Sequence, residues 1–178
     1  HFLYLGRIMK EKGIDELFFA VRHLKKENEN FVLDLVGFFE DEYKEQVKEL
    51  EKHSIAHFYG FQSDPRPFYI EADCVVLPSY HEGMSNVLLE AAATGRPVIT
   101  SNIPGCRESV ENGKSGLLVE VKNKEMLYDA MKEMLHCSRE EREQMGQAGR
   151  EKIEREFRKE VVVEKTVQSL REDEKRDF

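Results

Sequence analysis

The chain has 178 residues, 35% of them charged and 40% hydrophobic, and carries a formal net charge of −8. That length fits one domain with a sizeable core, and no apolar run approaches the ~20 residues of a membrane-spanning helix. The acidic balance argues against nucleic acid as a partner, but leaves room for a phosphate-bearing small ligand wherever cations cluster.

In chain order, Phe2 to Leu5 reads as a short buried strand closed by Gly6. The segment Arg7 to Gly13 is a cation-rich turn, followed by a helix whose apolar face is Ile14, Leu17, Phe18, Val21 and Leu24. Phe31 to Val36, ended by Gly37, is a second strand, and Asp41 to Lys52 an amphipathic helix on Tyr43, Val47 and Leu50. His57 to Tyr59 with Gly60 is a third strand. Pro65 to Glu71 leaves room for one or two helical turns before a fourth strand, Asp73 to Leu77.

Beyond Pro78 comes a polar loop, then a helix that Ser85 or Asn86 can cap and that runs to about Ala93. Gly95 suits the position after its end, and Pro97 forbids continuation. The helix is apolar on nearly every face, which predicts burial. Its one carboxylate, Glu90, therefore needs a polar partner, because an unpaired buried charge is expensive. Val98 to Thr100 is a fifth strand, Pro104 to Glu108 and Asn112-Gly113 are turns, and Gly116 to Val119 is a sixth strand. The remainder is helical, with an apolar stripe on Leu127, Ala130, Met131, Met134 and Leu135 and a capping box of Ser138 with Glu141. The charged tail from Glu164 is expected to fray. Residues 1–157 read as one domain and residues 158–178 as a charged C-terminal helix or tail.

Strands alternating with helices specify an α/β fold: a Rossmann-like, doubly wound, six-stranded parallel sheet with helices on both faces. The alternation is compatible with strand order 3-2-1-4-5-6. In that order strands one and four are neighbours where the order reverses, and ligands bind outside the carboxyl ends of the strands there. The loop Gly6 to Gly13 would then face the loop carrying Glu82 to Asn86 across one crevice.

The motifs in those two loops carry a resemblance. Glu82, seven residues, then Glu90, set within Pro78-Ser79-x-x-Glu82-Gly83 and Glu90-Ala91-x-Ala93-x-Gly95-x-Pro97-Val98, resembles the paired-glutamate block of retaining glycosyltransferases of the GT-B fold, family 4 above all. Gly6-Arg7 with Lys12-Gly13 resembles the same family's Gly-Arg-x-x-x-x-Lys-Gly block. The likeness runs from about residue 2 to residue 157. It implies that Arg7 and Lys12 hold the donor diphosphate, that Glu82 contacts the transferred sugar, and that Glu90 takes the ribose hydroxyls. A carboxylate, being acceptor-only, is chemically suited to vicinal hydroxyls. Gly6, Gly83, Met84, Ser85, Asn86 and Val87 would bring backbone close to sugar and phosphates, aided by a helix N-terminus. For the Met84 and Val87 side chains, core packing is the expectation. Gly60 and Phe61 stand where relatives hold the base.

The resemblance also implies the reaction and its setting. The donor would be a nucleotide sugar, UDP-linked, and Glu82, Arg7 and Lys12 the catalytic groups. The N-terminal acceptor half would lie outside this chain, which starts directly in a strand. The chain alone would bind donor and transfer little. The product would be a surface polysaccharide or glycoconjugate built on a glycan or lipid-linked acceptor. The missing Asp-x-Asp and His clusters predict no metal and no cofactor. Cys74, Cys106 and Cys137 lack metal-ligand spacing, and no cleavable signal opens the chain. Both point to a cytoplasmic protein, peripheral at the inner membrane face in the whole enzyme. His81 and Cys106 receive no catalytic role. Two other readings stand beside this one. The first is a GT-B phosphorylase or nucleotide-sugar epimerase. The second is a non-enzymatic doubly wound regulatory module.

Overall fold

The computed structural model describes residues 1–174. Six strands form one parallel sheet in the order β3-β2-β1-β4-β5-β6. They are β1 (Phe2–Leu5), β2 (Leu33–Val36), β3 (Ala56–Gly60), β4 (Cys74–Leu77), β5 (Val98–Ser101) and β6 (Gly116–Val119). The order is the one the alternating pattern allows, and it makes β1 and β4 neighbours in register Phe2↔Cys74 and Leu3↔Val75. Residues of β2, β4 and β5 are buried on both sheet faces, which is why these strands read as near-continuous apolar runs instead of alternating ones.

Among the described residues seven α-helices accompany the sheet: α1 (Ile14–Lys26), α2 (Lys44–Lys52), α3 (Arg66–Glu71), α4 (Asn86–Ala93), α5 (Lys124–His136), α6 (Arg139–Glu156) and α7 (Lys159–Glu174), the last packing on α6. The periodic face read from α1 is its buried face, where Leu17, Phe18, Val21 and Leu24 are fully enclosed; α1 packs on α5, and α4 on α6. The Ser138 capping box forms as expected, its hydroxyl accepting from the Glu141 amide and the Glu141 carboxylate from the Ser138 amide. Gly95 takes φ +71° after α4. Its N–H donates to the Ala92 carbonyl and that of Arg96 to the Ala91 carbonyl, which satisfies two otherwise orphan groups.

Some boundaries differ from the sequence expectation. The stretch Asp41–Tyr43 is a 3-10 turn leading into α2, not part of one continuous helix. Strand β2 starts at Leu33 instead of Phe31, and β4 at Cys74 instead of Asp73. Helix α7 runs through much of the tail expected to fray. The part of that expectation concerning residues 175–178 lies outside the described residues. Among the described residues no helix is long and apolar enough to cross a membrane.

Candidate functional site

The carboxyl ends of β1 and β4 open side by side, so the loops that follow them share one rim. After β1, Gly6 and Arg7 lead into a 3-10 turn, Lys10–Lys12, closed by Gly13 at φ +69°. No other residue fits there. A Cβ on Gly13 would stand 2.1 Å from the Pro78 carbonyl oxygen at the end of β4, so the two loops touch backbone to backbone. Arg7 is exposed and forms no ion pair among the described residues; its carbonyl accepts from the Tyr4 hydroxyl.

Lys12 crosses the rim. Its Nζ lies 2.6 Å from Glu82 Oε1, with the two side chains only 22% and 15% exposed. Ser79 Oγ donates to the same oxygen at 2.7 Å. The loop after β4 is fastened further through Tyr80, whose N–H donates to the carbonyl of Glu11 in the 3-10 turn at 2.8 Å and whose hydroxyl donates to Glu16 of α1 at 2.8 Å. Burial comes first, and then the Glu16 carboxylate, in pushing this hydroxyl far up, so Tyr80 remains a donor across the physiological range. The loop after β5 supports Glu82 from the other side. Gly105, at φ +86°, packs so tightly on the Gly83 carbonyl that a Cβ would stand 1.5 Å from its oxygen. The Gly105 carbonyl accepts from the Ser85 N–H at 3.0 Å, and Glu108 accepts from the Gly105 N–H at 2.8 Å. Glu108 is thus a loop brace and not a partner of Arg107.

Helix α4 differs from expectation. It is not buried all round: Asn86, Glu90 and Ala93 share an exposed face, while Leu88, Ala91 and Ala92 face the core. An all-apolar reading missed this because Ala93 is small enough to line a concave surface. Glu90 meets its polar partner in the Tyr69 hydroxyl of α3, which donates to Oε2 at 3.0 Å and lies 3.4 Å from the Val87 carbonyl. Burial, and after it the Glu90 carboxylate, hold the Tyr69 hydroxyl protonated. Ser85 is the N-cap residue but makes no side-chain cap bond. That leaves the amides at the start of α4 open to an outside acceptor. Val87 packs against the core as expected, whereas the Met84 side chain is 48% exposed, contrary to the packing role expected for it.

Two cavities follow the rim. One, about 240 Å³, is lined by Gly6, Arg7, Phe38, Phe61, Gln62 and Pro65 among others. The second, about 510 Å³, is lined by Pro65, Arg66, Tyr69, Glu90, Ala93 and Thr94 among others. Arg7 and Glu90 therefore stand in adjoining cavities that share Pro65. Gly60 (φ +65°) holds the β3 end by accepting from the Gly37 N–H at 2.8 Å, and it is Phe61, not Gly60, that reaches the cavity. The Phe61 ring stacks on Phe38 with centroids 5.0 Å apart and planes 4° off parallel, both rings 61% exposed. Sequence reading passed over Phe38, Pro65, Tyr69, Ser79 and Tyr80. Only Ser79 carried a signal, being part of the Pro-Ser-x-x-Glu block. His81 is exposed. The Cys106 thiol is buried, and burial pushes it up to about 11, so it stays an ordinary thiol. Among the described residues no group of three or more His, Cys, Asp or Glu is placed to hold a metal ion.

Comparison with known proteins agrees with this architecture. The family of glycosyl transferases group 1 matches residues 1–152. A capsular polysaccharide biosynthesis glycosyltransferase, CapM of Staphylococcus aureus, is 30% identical over 164 residues, covering 90% of this chain and 43% of that protein. The solved C-terminal domain of a glycosyl transferase group 1 family protein, LpcC of Francisella tularensis, is similar at a TM-score of 0.74 and 27% identity, over 89% of this chain and 86% of that one. Anabaena HepE, solved in complex with UDP, gives a TM-score of 0.80 at 20% identity, over 96% of this chain and 48% of that one, a likeness of fold. The chain spans about half the length of the curated relatives it matches.

Proposed function

The chain belongs to the group 1 glycosyl transferases, and on that premise we propose that it grips a nucleotide sugar in the β1/β4 crevice. Together with an acceptor-binding half, it would then transfer the sugar to a glycan or lipid-linked acceptor with retention of anomeric configuration, as in family 4. The observation that carries this is the Lys12–Glu82 pair, 2.6 Å across the point where strand order reverses. A cation for phosphate and an acceptor for sugar hydroxyls stand side by side there, next to the free amides of α4.

Each group then has a task. Arg7 and Lys12 neutralise the diphosphate, together with backbone N–H groups of the loops and the α4 N-terminus. Arg7 makes no ion pair among the described residues, and Lys12 can exchange its carboxylate for a phosphate oxygen. As the bond from the sugar's anomeric carbon to the β-phosphate oxygen breaks, charge develops on the diphosphate. The same cations stabilise that charge more strongly than they do the ground state. The acceptor hydroxyl supplies the new bond to the anomeric carbon and gives up its proton to the departing β-phosphate oxygen. Glu82, released from Lys12, accepts from hydroxyls of the sugar, with Ser79 fixing its orientation. Glu90, fixed by Tyr69, accepts from the ribose. The Phe38–Phe61 pair beside Arg7 offers the base an apolar wall. HepE, solved with UDP, favours uridine as the base, and CapM, named for capsular polysaccharide, favours a surface glycan as the product.

A thermal-shift panel of UDP, GDP and ADP tests the reading. UDP should raise the melting temperature saturably, and Lys12→Ala should abolish the shift. A chain indifferent to all three nucleotides would leave the regulatory-module reading standing. Product analysis of the whole protein separates transfer from the phosphorylase and epimerase alternatives, which demand inorganic phosphate or release an isomerised sugar.

A further inference from the structure

The opposite end of the strands holds a second group of cations that the crevice does not use. Asp73 precedes β4, Gly95 and Arg96 precede β5, and Arg139, Arg142 and Glu143 lie in the first turns of α6; together they line a cavity of about 180 Å³. These are the amino ends of the strands. Four residues of strand, ~13 Å, separate them from the crevice at the carboxyl ends.

Arg96 and Arg142 each spend part of their guanidinium on a neighbouring helix end. Arg96 Nη2 donates to the Ile70 carbonyl at 2.8 Å, and Arg142 Nη1 donates to the Cys137 carbonyl. The Nε–H of both is buried with no acceptor. A buried donor left unmade costs about 1–3 kcal/mol, and more on a charged group. Two such donors on residues that line one cavity leave room for an acceptor the protein does not itself supply. The carboxylates present do not supply it. Glu143 accepts from Arg139 Nε at 2.7 Å. Asp73 Oδ1 is 3.7 Å from Arg142 Nη2, too far for a hydrogen bond, and its Oδ2 accepts from the His1 backbone nitrogen at 2.7 Å. Three guanidiniums face two carboxylates, so the cavity is locally positive on a chain of net charge −8.

We propose that this cavity binds a small soluble phosphate group, free or as a monoester, independently of the donor crevice. A tetrahedral oxyanion offers acceptors in several directions at once, and the guanidinium fork matches it. Because both Nε–H groups are buried, seating it requires the Arg96 and Arg142 side chains to turn toward the cavity and release their bonds to the Ile70 and Cys137 carbonyls. A lipid headgroup fits less well, because the adjoining face of α6 carries Glu140, Glu143 and Glu151, which repel an anionic bilayer.

The test is an amide NMR titration of the 178-residue chain with potassium phosphate and with glycerol 3-phosphate, against potassium chloride at equal ionic strength. Saturable shifts at Asp73, Gly95, Arg96 and Arg139 to Glu143 are expected, unaltered by Lys12→Ala. Arg139→Gln, which removes an exposed side chain and should leave the fold intact, is expected to weaken binding about tenfold. Arg96→Lys, which keeps the charge but loses the fork, should weaken it as well. Shifts confined to Gly6–Gly13 and Gly83–Asn86 would assign the phosphate to the crevice and overturn the proposal. So would no saturable shift, an Arg139→Gln variant of unchanged affinity, or co-sedimentation with phosphatidylglycerol vesicles while free phosphate leaves the spectrum unmoved.

Discussion

Glu82 and Glu90 are separated by seven residues, yet their surroundings differ as much as their proposed tasks. Glu82 is held by a cation and a hydroxyl on one oxygen. Glu90 is exposed and, among the described residues, its carboxylate is held by Tyr69 alone. Replacing Glu90 by Gln keeps the shape and the Tyr69 contact but turns one acceptor oxygen into a donor group. UDP affinity measured by calorimetry should then fall about tenfold to a hundredfold, since hydrogen bonds to charged groups contribute about 1.5–3 kcal/mol. Unchanged affinity would remove Glu90 from the ribose. Asp34 on β2 gives a stability prediction of the opposite kind. It is buried, its Oδ1 has no hydrogen-bond partner, and burial outweighs His57 and Tyr59 in raising its carboxyl above the usual range. A carboxyl raised in the fold favours folding only while protonated, so its contribution is lost as pH rises from its unfolded value through the folded one. Asp34→Asn should therefore raise the melting temperature at pH 7. The gain should shrink as pH falls from the raised folded value toward about 4 and be gone well below it, where both states of the wild type are protonated. A gain that does not depend on pH would point to packing instead of charge.

Elements were far more legible than contacts. Strands β1, β2 and β4 are short, mostly apolar runs closed by Gly or Pro, and helices α1 and α5 show their buried stripe at helical spacing; alternation was compatible with the observed strand order without fixing it. Tyr69 was not legible, because it is one of two aromatics in a six-residue helix, and nothing local says that it, and not Phe68, will lie under a residue 21 positions on. The fit of Gly13 against Pro78 and of Gly105 against Gly83 was equally hidden, since a glycine in sequence announces freedom but not the backbone it will touch. These two contacts hold the three rim loops together. Gly13→Ala should cost about 1–3 kcal/mol in left-handed strain alone, with more for the displaced Pro78 carbonyl, and should weaken UDP binding by moving Lys12. Tyr80→Phe is the milder test of the same joint. Losing its hydrogen bond to Glu16 should cost about 1 kcal/mol in urea denaturation, with UDP affinity falling and the sheet intact by circular dichroism. If UDP affinity survives both changes, the loops do not need each other to make the site.

At the scale of the molecule, the site has one wall. Gly6, Lys12, Glu82 and the start of α4 all sit at the carboxyl ends of the strands, and nothing on the described residues faces them to bring an acceptor hydroxyl to the anomeric carbon. Catalysis by positioning depends on holding both reactants; well-oriented partners gain about 7–11 kcal/mol over a random encounter. The 178-residue chain supplied with UDP-sugar and a soluble acceptor should therefore bind donor yet release UDP no faster than a Lys12→Ala control. The whole protein should turn over, with the same substitution reducing kcat/KM. Robust transfer by the 178-residue chain itself would mean that the acceptor is gripped within these residues. The exposed rings of Phe38 and Phe61 would then be the first place to look, because they adjoin Arg7 and offer the apolar faces on which a sugar ring stacks.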